Sequence, residues 1–509
     1  MPGKQAILVV GGGTAGWLSA AYLARFFGGR VAVTLLESPE IGIIGVGEGA
    51  FPTIRSTLQF LGIDEGRFIR EASATFKQGI RFDDWRHAPR SEGARHRYLH
   101  PFEAPFHPDG ESLIPYWLLQ DEATRAPFAE ALTMQAEIAL ARHGPKRAGE
   151  GEYSGPLNYA YHFDARQFAR TLQERAVELG VRHLTGLLTG VELAQDGSIS
   201  RVHTAEHGAL EADLYVDCSG FRAELIGKAL NEPFTSLKHQ LFTDRALACK
   251  IPYSDPEAPI ESLTIATAHE AGWIWDIGLQ SARGIGCVYS SAHMSDAAAA
   301  ETLRAYVGHD DYSARVIPFE PGYRERQWVK NCVAIGLSAG FLEPLESTGV
   351  VLIEAAVAMI AEFFPYDGPA DLSAVRFNRL MTARFERIVN FLKLHYCLSE
   401  REEPFWRDNT NEASIPEGLR ALIGQWRHRA PSRFDFDLDV ESFAFFNYQY
   451  ILYGMGFRTD LFAARENFPH SAAAEKFFAR IRSFGESAVA ELPTHRALIR
   501  EINAAAAGD

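Results

Sequence analysis

The chain carries an unbroken apolar run at residues 5–10, Gln-Ala-Ile-Leu-Val-Val, without the alternation of a strand that has one wet face. Such a run predicts a parallel strand buried on both sides. Glycines at 11, 12 and 13 end it, residues 17–27 are rich in Ala and Leu as a helix would be, and residues 31–36 form a second apolar run that stops at Glu37. The N-terminal segment therefore predicts a strand–helix–strand unit. Asp164 stands before Phe168, Leu172, Ala176 and Leu179, which share one face at helical spacing, so a helix capped by Asp164 is expected. Residues 181–218 alternate as strands do, with a turn signal at Asp196-Gly197 and a last strand, 213–217, running into Cys218-Ser219-Gly220. Residues 240–330 mix strand-like runs with a helical stretch at 296–306, a late strand at 332–335 meets Gly336, and from about residue 350 the pattern is mostly helical. Residues 86–115, rich in His, Pro, Arg and Gly, predict long loops, as does the glycine-punctuated stretch 41–49. The alanines 504–507 predict a frayed terminus.

Composition narrows the picture. At 509 residues the chain is too long for one ordinary core, and two or three packed domains are expected. The organisation expected is a strand–helix–strand module with inserted loops at 1–240 and a strand-rich region at 241–330. Residues 331–365 then return to the first module, and 366–509 form a helical region. The fold class is α/β, with a Rossmann-type module, an interleaved sheet-containing region and a mainly helical C-terminal region. Fifty basic and 65 acidic side chains give a net charge of −15, a poor match for nucleic acid or an anionic membrane surface. The most apolar long stretch, 349–364, contains Glu354 and Glu362 and reads as a buried helix, not a membrane span. Five scattered cysteines without a C-x-x-C exclude a disulfide framework or zinc ribbon and suit a reducing cytoplasm. Lys4 and the apolar run after it superficially resemble a signal peptide, but the glycines interrupt any hydrophobic helix.

The first candidate chemistry is dinucleotide binding. Gly11, Gly13 and Gly16 fit G-x-G-x-x-G between a strand and a helix, with Thr14 and Ala15 inside the motif. Gly11 permits the turn, Gly13 lets the backbone approach a pyrophosphate, and Gly16 lets helix and strand pack closely. Glu37, 21 residues past Gly16, can accept hydrogen bonds from a ribose diol. The motif alone does not separate FAD from NAD. Gly336-Leu337-Ser338-Ala339-Gly340, about 320 residues downstream, favours FAD, because a second glycine-rich strand end can return to the same cofactor. No second fingerprint for a nicotinamide is evident, so something else must reduce the flavin.

Three further segments carry chemistry. Thr75-Phe76-Lys77-Gln78-Gly79 sets a lysine among aromatic and apolar neighbours. Gly272-Trp273-Ile274-Trp275-Asp276-Ile277 puts two indoles on one face of a strand. Glu343-Pro344-Leu345-Glu346-Ser347-Thr348-Gly349 places carboxylates, hydroxyls and a glycine just before a helix. Taken singly these have ordinary explanations: a solvated lysine, core tryptophans, a helix-capping glutamate, a loop histidine at His100.

Together with the fingerprint, they resemble the flavin-dependent halogenases of the tryptophan-halogenase family. Matching stretches include residues 11–17, 45–52, Lys77, His100-Pro101-Phe102, 161–164, 217–222, 273–277, 331–349 and 395–406. The resemblance implies that a separate NAD(P)H-dependent reductase supplies FADH2, which reacts with oxygen to give a flavin hydroperoxide. Chloride or bromide attacks it, and hypohalous acid travels to a lysine beside an aromatic small molecule. Lys77 matches that lysine and Glu346 the acid beside the substrate. Thr348 and Gly349 match halide ligands, and His100, Phe102, Trp273 and Trp275 match pocket residues. Gly47, Ala50, Gly336, Leu337, Gly340 and Val350 join the fingerprint residues around FAD. The resemblance thus implies an FAD-binding module at 1–240, a substrate region carrying Trp-x-Trp-x-Ile at 241–330, the return to the FAD module with the halide site at 331–365, and a helical substrate-binding region at 366–509. Gly278 stands where the family carries proline, which is expected to loosen the backbone after Ile277. Residues 443–450 and 454–457 do not match the tyrosine pair and acid with which the family's free-tryptophan enzymes hold the amino-acid group, so indole or another electron-rich aromatic is the expected substrate. A flavin hydroxylase, an FAD protein without halogenase turnover and an NAD-dependent dehydrogenase are the alternatives.

Overall fold

The structure is a computed structural model that describes residues 4–40, 42, 47–89, 95–366, 370–437 and 440–505. Most of the glycine-punctuated stretch at 41–46 and the last two alanines of the 504–507 run lie outside the described residues. The chain divides into two compact units, each assembled from three segments.

The first unit comprises residues 1–74, 163–237 and 319–386. Its main sheet has six strands in the order Trp328–Val329, Cys332–Ala334, Leu214–Asp217, Ala6–Val10, Ala32–Glu37, Arg182–Thr185. All neighbours are parallel except the first pair. The expected N-terminal unit is present: strand Ala6–Val10, helix Thr14–Phe27 and strand Ala32–Glu37. Ala6–Val10 lies between strands that follow it and strands from much later in the chain, the switch point at which such sheets bind ligands. Helix Ala165–Glu178 starts where expected, because the Asp164 carboxylate accepts the amides of Arg166 and Gln167, both at 3.0 Å. The alternating segment 181–218 contains five strands, and Gly197 makes the hairpin turn at φ +83°. Residues Leu8, Val10, Leu36, Tyr215, Cys332 and Ala334 form part of one continuous buried core across the sheet.

The second unit comprises residues 75–162, 238–318 and 387–509. Its seven-stranded sheet runs Arg315–Pro318, Arg245–Pro252, Ala282–Tyr289, Gly272–Gly278, Thr264–His269, Gly79–Asp83, Arg97–Pro101. Only the pair Thr264–His269 and Gly79–Asp83 is parallel. The presence of Arg97–Pro101 corrects the expectation of loops throughout 86–115. This strand sits at the sheet edge, where a terminal proline costs no ladder bond, and the pairing with Gly79–Asp83 makes it a strand. The helices Phe445–Gly454, Ser471–Glu491 and His495–Ala505 complete the C-terminal part. Residues 349–364 fall mostly in helix Thr348–Phe363, which is largely buried, and no described helix is long and apolar enough to cross a membrane.

Candidate functional site

In the first unit the glycine loop has the geometry its residues require. Gly11 has φ +121°, and a Cβ there would strike the Cys218 carbonyl. A Cβ on Gly16 would strike the Gly11 carbonyl. Gly13 caps helix Thr14–Phe27 and faces open space, with no atom within 4 Å of where its Cβ would be. No acidic residue occupies the first helical turn, so its amides favour an anion. Thr14 Oγ1 is buried and has no hydrogen-bond partner among the described residues. An orphaned hydroxyl beside an open glycine and a helix N-terminus fits a bound pyrophosphate. The Glu37 carboxylate folds over Gly12, where any Cβ would collide with it, and Oε1 lies 2.8 Å from His183 Nε2. Gly12 is therefore a constrained position that the fingerprint alone does not mark.

The late glycine segment returns to the same place. Gly336 has φ +73°, and its Cβ would come within 2.8 Å of Ala15 Cβ. Leu337 is partly exposed beside it, whereas Gly340 pairs within a short strand against Tyr323. Ala50 and Val350 are buried and Gly47 is partly exposed. Asp217, at the end of strand Leu214–Asp217, lies in a matched stretch of the sequence but was given no role there. Its buried carboxylate accepts the amides of Ser219, Leu225 and Ile226 and the Ser219 hydroxyl, which shapes the turn against which Gly11 packs. Burial nonetheless pushes its carboxyl above the ordinary range.

Glu346 and Ser347 take left-handed backbone conformations, φ +64° and +58°, immediately before helix Thr348–Phe363. Two adjacent non-glycine residues in that region are costly and mark a site that the surrounding structure enforces. Glu346 is buried, Thr348 is buried, and Gly349 is exposed with nothing within 4 Å of its Cβ position. The first turn of the helix has no acidic residue, so its amides suit an anion. One turn and a half further on, Glu354 accepts the hydroxyls of Thr57 at 2.5 Å and Thr53 at 2.8 Å. Burial raises its carboxyl to about 7. Glu48 is likewise raised to about 7, by burial and by Asp164.

In the second unit Lys77 ends the strand Thr75–Lys77, paired antiparallel with Ala160–Phe163, and is wholly buried. Its Nζ lies 5.4 Å from the centre of the Phe102 ring. Gly79 crosses against the His100 carbonyl so closely that no Cβ fits, which brings the lysine strand and His100-Pro101-Phe102 together. His100 Nε2 is 2.8 Å from Asn447 Nδ2, and rings of Phe391 and Tyr450 stand 5.7 and 6.0 Å away. Trp273 and Trp275 share a face of strand Gly272–Gly278, 6.3 Å apart. Trp273 packs on Trp85, and Trp275 lies over Gly286 of the next strand. Gly278 does not loosen the strand: it pairs with Arg283, and its carbonyl accepts the Thr75 hydroxyl at 2.6 Å. That bond ties the tryptophan strand to the lysine strand. Two buried histidines here escaped the sequence reading as site residues. His162 is 2.7 Å from the Thr264 hydroxyl, and burial, Lys77 and His495 hold its imidazole well below the usual range. His495 accepts the Phe76 amide at 2.8 Å. His162 lay in a quoted stretch, but His495 carries no local signal at all.

Comparison with known proteins bears on both units. A family model described as tryptophan halogenase matches residues 6–467. A 7-chloro-L-tryptophan 6-halogenase from Kutzneria sp. (strain 744) is 37% identical over 96% of this chain and 98% of its own. The crystal structure of a tryptophan halogenase from Shewanella frigidimarina superposes with a TM-score of 0.92 at 38% identity, covering 98% of this chain and 97% of that one. A flavin-dependent halogenase from Brevundimonas sp. BAL3 gives 0.88 at 33% identity, covering 99% and 100%. With the dinucleotide loop and the matched length, these findings establish that the chain belongs to the tryptophan halogenase family and is a flavin-dependent halogenase.

Proposed function

We propose that the chain halogenates an electron-rich aromatic, indole or an indole derivative, using FADH2, dioxygen and chloride or bromide, with Lys77 delivering the halogen. The complete burial of Lys77 beside Phe102 carries this reading, because a lysine on an ordinary surface would not be drawn into an aromatic wall. When bound, the reduced flavin with dioxygen supplies the oxidation that turns halide into hypohalous acid. Gly11, Gly13, Thr14, Ala15 and Gly16 would hold its phosphates and Glu37 its ribose. Gly47, Ala50, Gly336, Leu337, Gly340 and Val350 are proposed to complete that surface. The amides of Thr348 and Gly349 would hold the halide.

Lys77 then acts in one of two ways. As an ammonium it donates a hydrogen bond to hypohalous acid and polarises the oxygen–halogen bond. As an amine it takes the halogen and releases water. Either route confines a diffusible oxidant to one atom beside the ring. The Glu346 carboxylate stabilises the cationic ring adduct and accepts the proton that leaves it. His100, Phe102, Trp273 and Trp275 are the proposed pocket residues.

The Kutzneria relative is named for a chlorotryptophan, but two tyrosines of helix Phe445–Gly454 support a substrate without a zwitterionic tail. Tyr450 donates to the Glu103 carbonyl at 2.9 Å, and Tyr453 shares a bond with the Thr459 hydroxyl at 3.1 Å, so these hydroxyls are committed within the protein. A separate NAD(P)H-dependent reductase and a cytoplasmic location complete the proposal.

The test is a turnover assay read by mass spectrometry, with indole or tryptophan, FAD, NADH, a flavin reductase and bromide, beside Lys77→Ala. A brominated indole that the variant does not form is the expected result. A hydroxylated product made without halide would overturn it in favour of a hydroxylase.

A further inference from the structure

Lys77 lies between two residues whose backbone is held by one hydrogen-bond network. On its N-terminal side, the Phe76 amide points away from strand Ala160–Phe163 and donates to His495 Nε2 at 2.8 Å. On its C-terminal side, the Gln78 amide donates to the Ser262 carbonyl at 2.8 Å, and Gln78 Nε2 donates to the His143 carbonyl, also at 2.8 Å. Ser262 and His495 close the circuit. The Ser262 hydroxyl gives its only proton to the His143 carbonyl at 3.0 Å, so towards His495 Nδ1, at 3.2 Å, it can only accept. His495 must therefore be the neutral tautomer with the proton on Nδ1, shared between Ser262 Oγ and the Ile260 carbonyl at 3.3 Å. The helix bearing His495 is in turn fixed by its first amide, which donates to the Arg142 carbonyl at 2.8 Å, and by the bridge between Thr494 and His143.

We propose that His495 is a positioning residue for the halogen-transfer step: its Nε2 takes the amide of Phe76, next to Lys77 on the lysine strand, and so sets where the Lys77 amine stands. The proposal rests on the assignment of Lys77 to that step. The physical argument is one of accounting. Strand Thr75–Lys77 is short, so losing this acceptor leaves a buried N–H without a partner at the residue before the reacting amine. A short strand responds by shifting, and small displacements of a reacting group are costly to rate.

Several charged or titratable groups surround this ring. His162, which also feels Lys77, acts on it from strand Ala160–Phe163, Arg496 adjoins it on its own helix, and the ion pair Arg142–Glu261 flanks it. Burial, with Arg496 adding to it, holds the imidazole at about 4, so the neutral tautomer persists at the pH of turnover.

The experiment compares His495→Leu, which removes the acceptor, with His495→Gln, whose amide oxygen can accept the Phe76 N–H. Both are assayed as full-length FAD-loaded protein with indole and bromide, with Lys77→Ala alongside and a soluble scavenger to capture escaping hypobromous acid. His495→Leu is expected to lose about 10- to 100-fold in kcat with KM for indole little changed, and to divert oxidant to the scavenger. His495→Gln is expected to stay within about threefold of the parent. Parent-like coupling in His495→Leu, or equal damage in both variants at unchanged melting temperature, overturns the proposal. If the leucine variant does not fold, ring nitrogen spectra of 15N-histidine-labelled protein decide. The signal missing from His495→Gln must show an unprotonated, hydrogen-bonded Nε2, and a protonated one overturns the assignment. Full halogenation by Lys77→Ala would instead sink the Lys77 assignment itself, whereas an inactive Lys77→Ala beside an undisturbed His495→Leu removes only the role of His495.

Discussion

The residues that carry the chemistry differ in how far their neighbours constrain them. Gly11 and Gly16 are fixed by direct collision, since a methyl group at either would meet backbone. Gly16→Ala is therefore expected to abolish FAD binding, seen as loss of flavin from the purified protein, because helix and strand must separate to admit it. Lys77 and Glu346, in the roles proposed for them, are constrained by function instead. Removing a group that transfers halogen or accepts a proton costs about 10²- to 10⁴-fold in rate. Glu346→Gln is expected to lower kcat by about 10² while leaving KM for indole and the affinity for FAD close to the parent. Steady-state rates and flavin titration separate these terms, and a KM change as large as the kcat change would argue against the proton-accepting role. The glycines were legible in the sequence because their constraint is local. His495 was not, because the amide it serves is 419 residues away along the chain.

At the scale of elements, the pairing of helices Thr53–Leu61 and Thr348–Phe363 through Glu354 gives a pH-dependent contact. The carboxyl rises from an ordinary value of 4.5 to about 7, so folding favours its protonated form. The stabilisation is complete below about 4.5, declines as pH rises, and is gone above about 7. A shift of this size corresponds to about 3 kcal/mol at most. Glu354→Gln mimics the neutral acid and is expected to melt a few degrees above the parent at pH 8, with the gap closing towards pH 5. A gap independent of pH would mean that Glu354 does not titrate between these limits. Elements with apolar runs or caps, such as Ala6–Val10 and Ala165–Glu178, were legible beforehand. Strand Arg97–Pro101 was not, because its composition reads as loop and only its partner supplies the ladder.

For the whole molecule, buried histidines govern the acid side. His96, His269 and His495 are each held at about 4, chiefly by burial, and His162 lies well below its usual range for the same reason. The unfolded chain binds protons at these sites near 6.5, so stability is lost as pH falls from about 6.5 towards 4. For the wholly buried His495 alone the loss approaches about 3 kcal/mol. Glu48 and Glu354 act in the opposite sense, as do the raised carboxyls of Glu130, Glu137 and Asp217; with the histidines dominant, urea midpoints are expected to peak near pH 6.5 and fall by pH 4.5. A flat profile across that window would show that the histidines are hydrated in solution.

The order of residues alone determined the dinucleotide loop, the capped helix and the family to which the chain belongs. Each is written in short-range features: glycine where the backbone must turn or touch, apolar runs where strands are buried, and motifs a few residues long. Only the tertiary structure decided that Glu37 closes over Gly12, that Gly336 returns to Ala15, and that His495 and Ser262 bracket Lys77 from the far end of the chain. Those contacts depend on which backbone amides and carbonyls are left facing one another once the sheets have formed, and no local pattern records that.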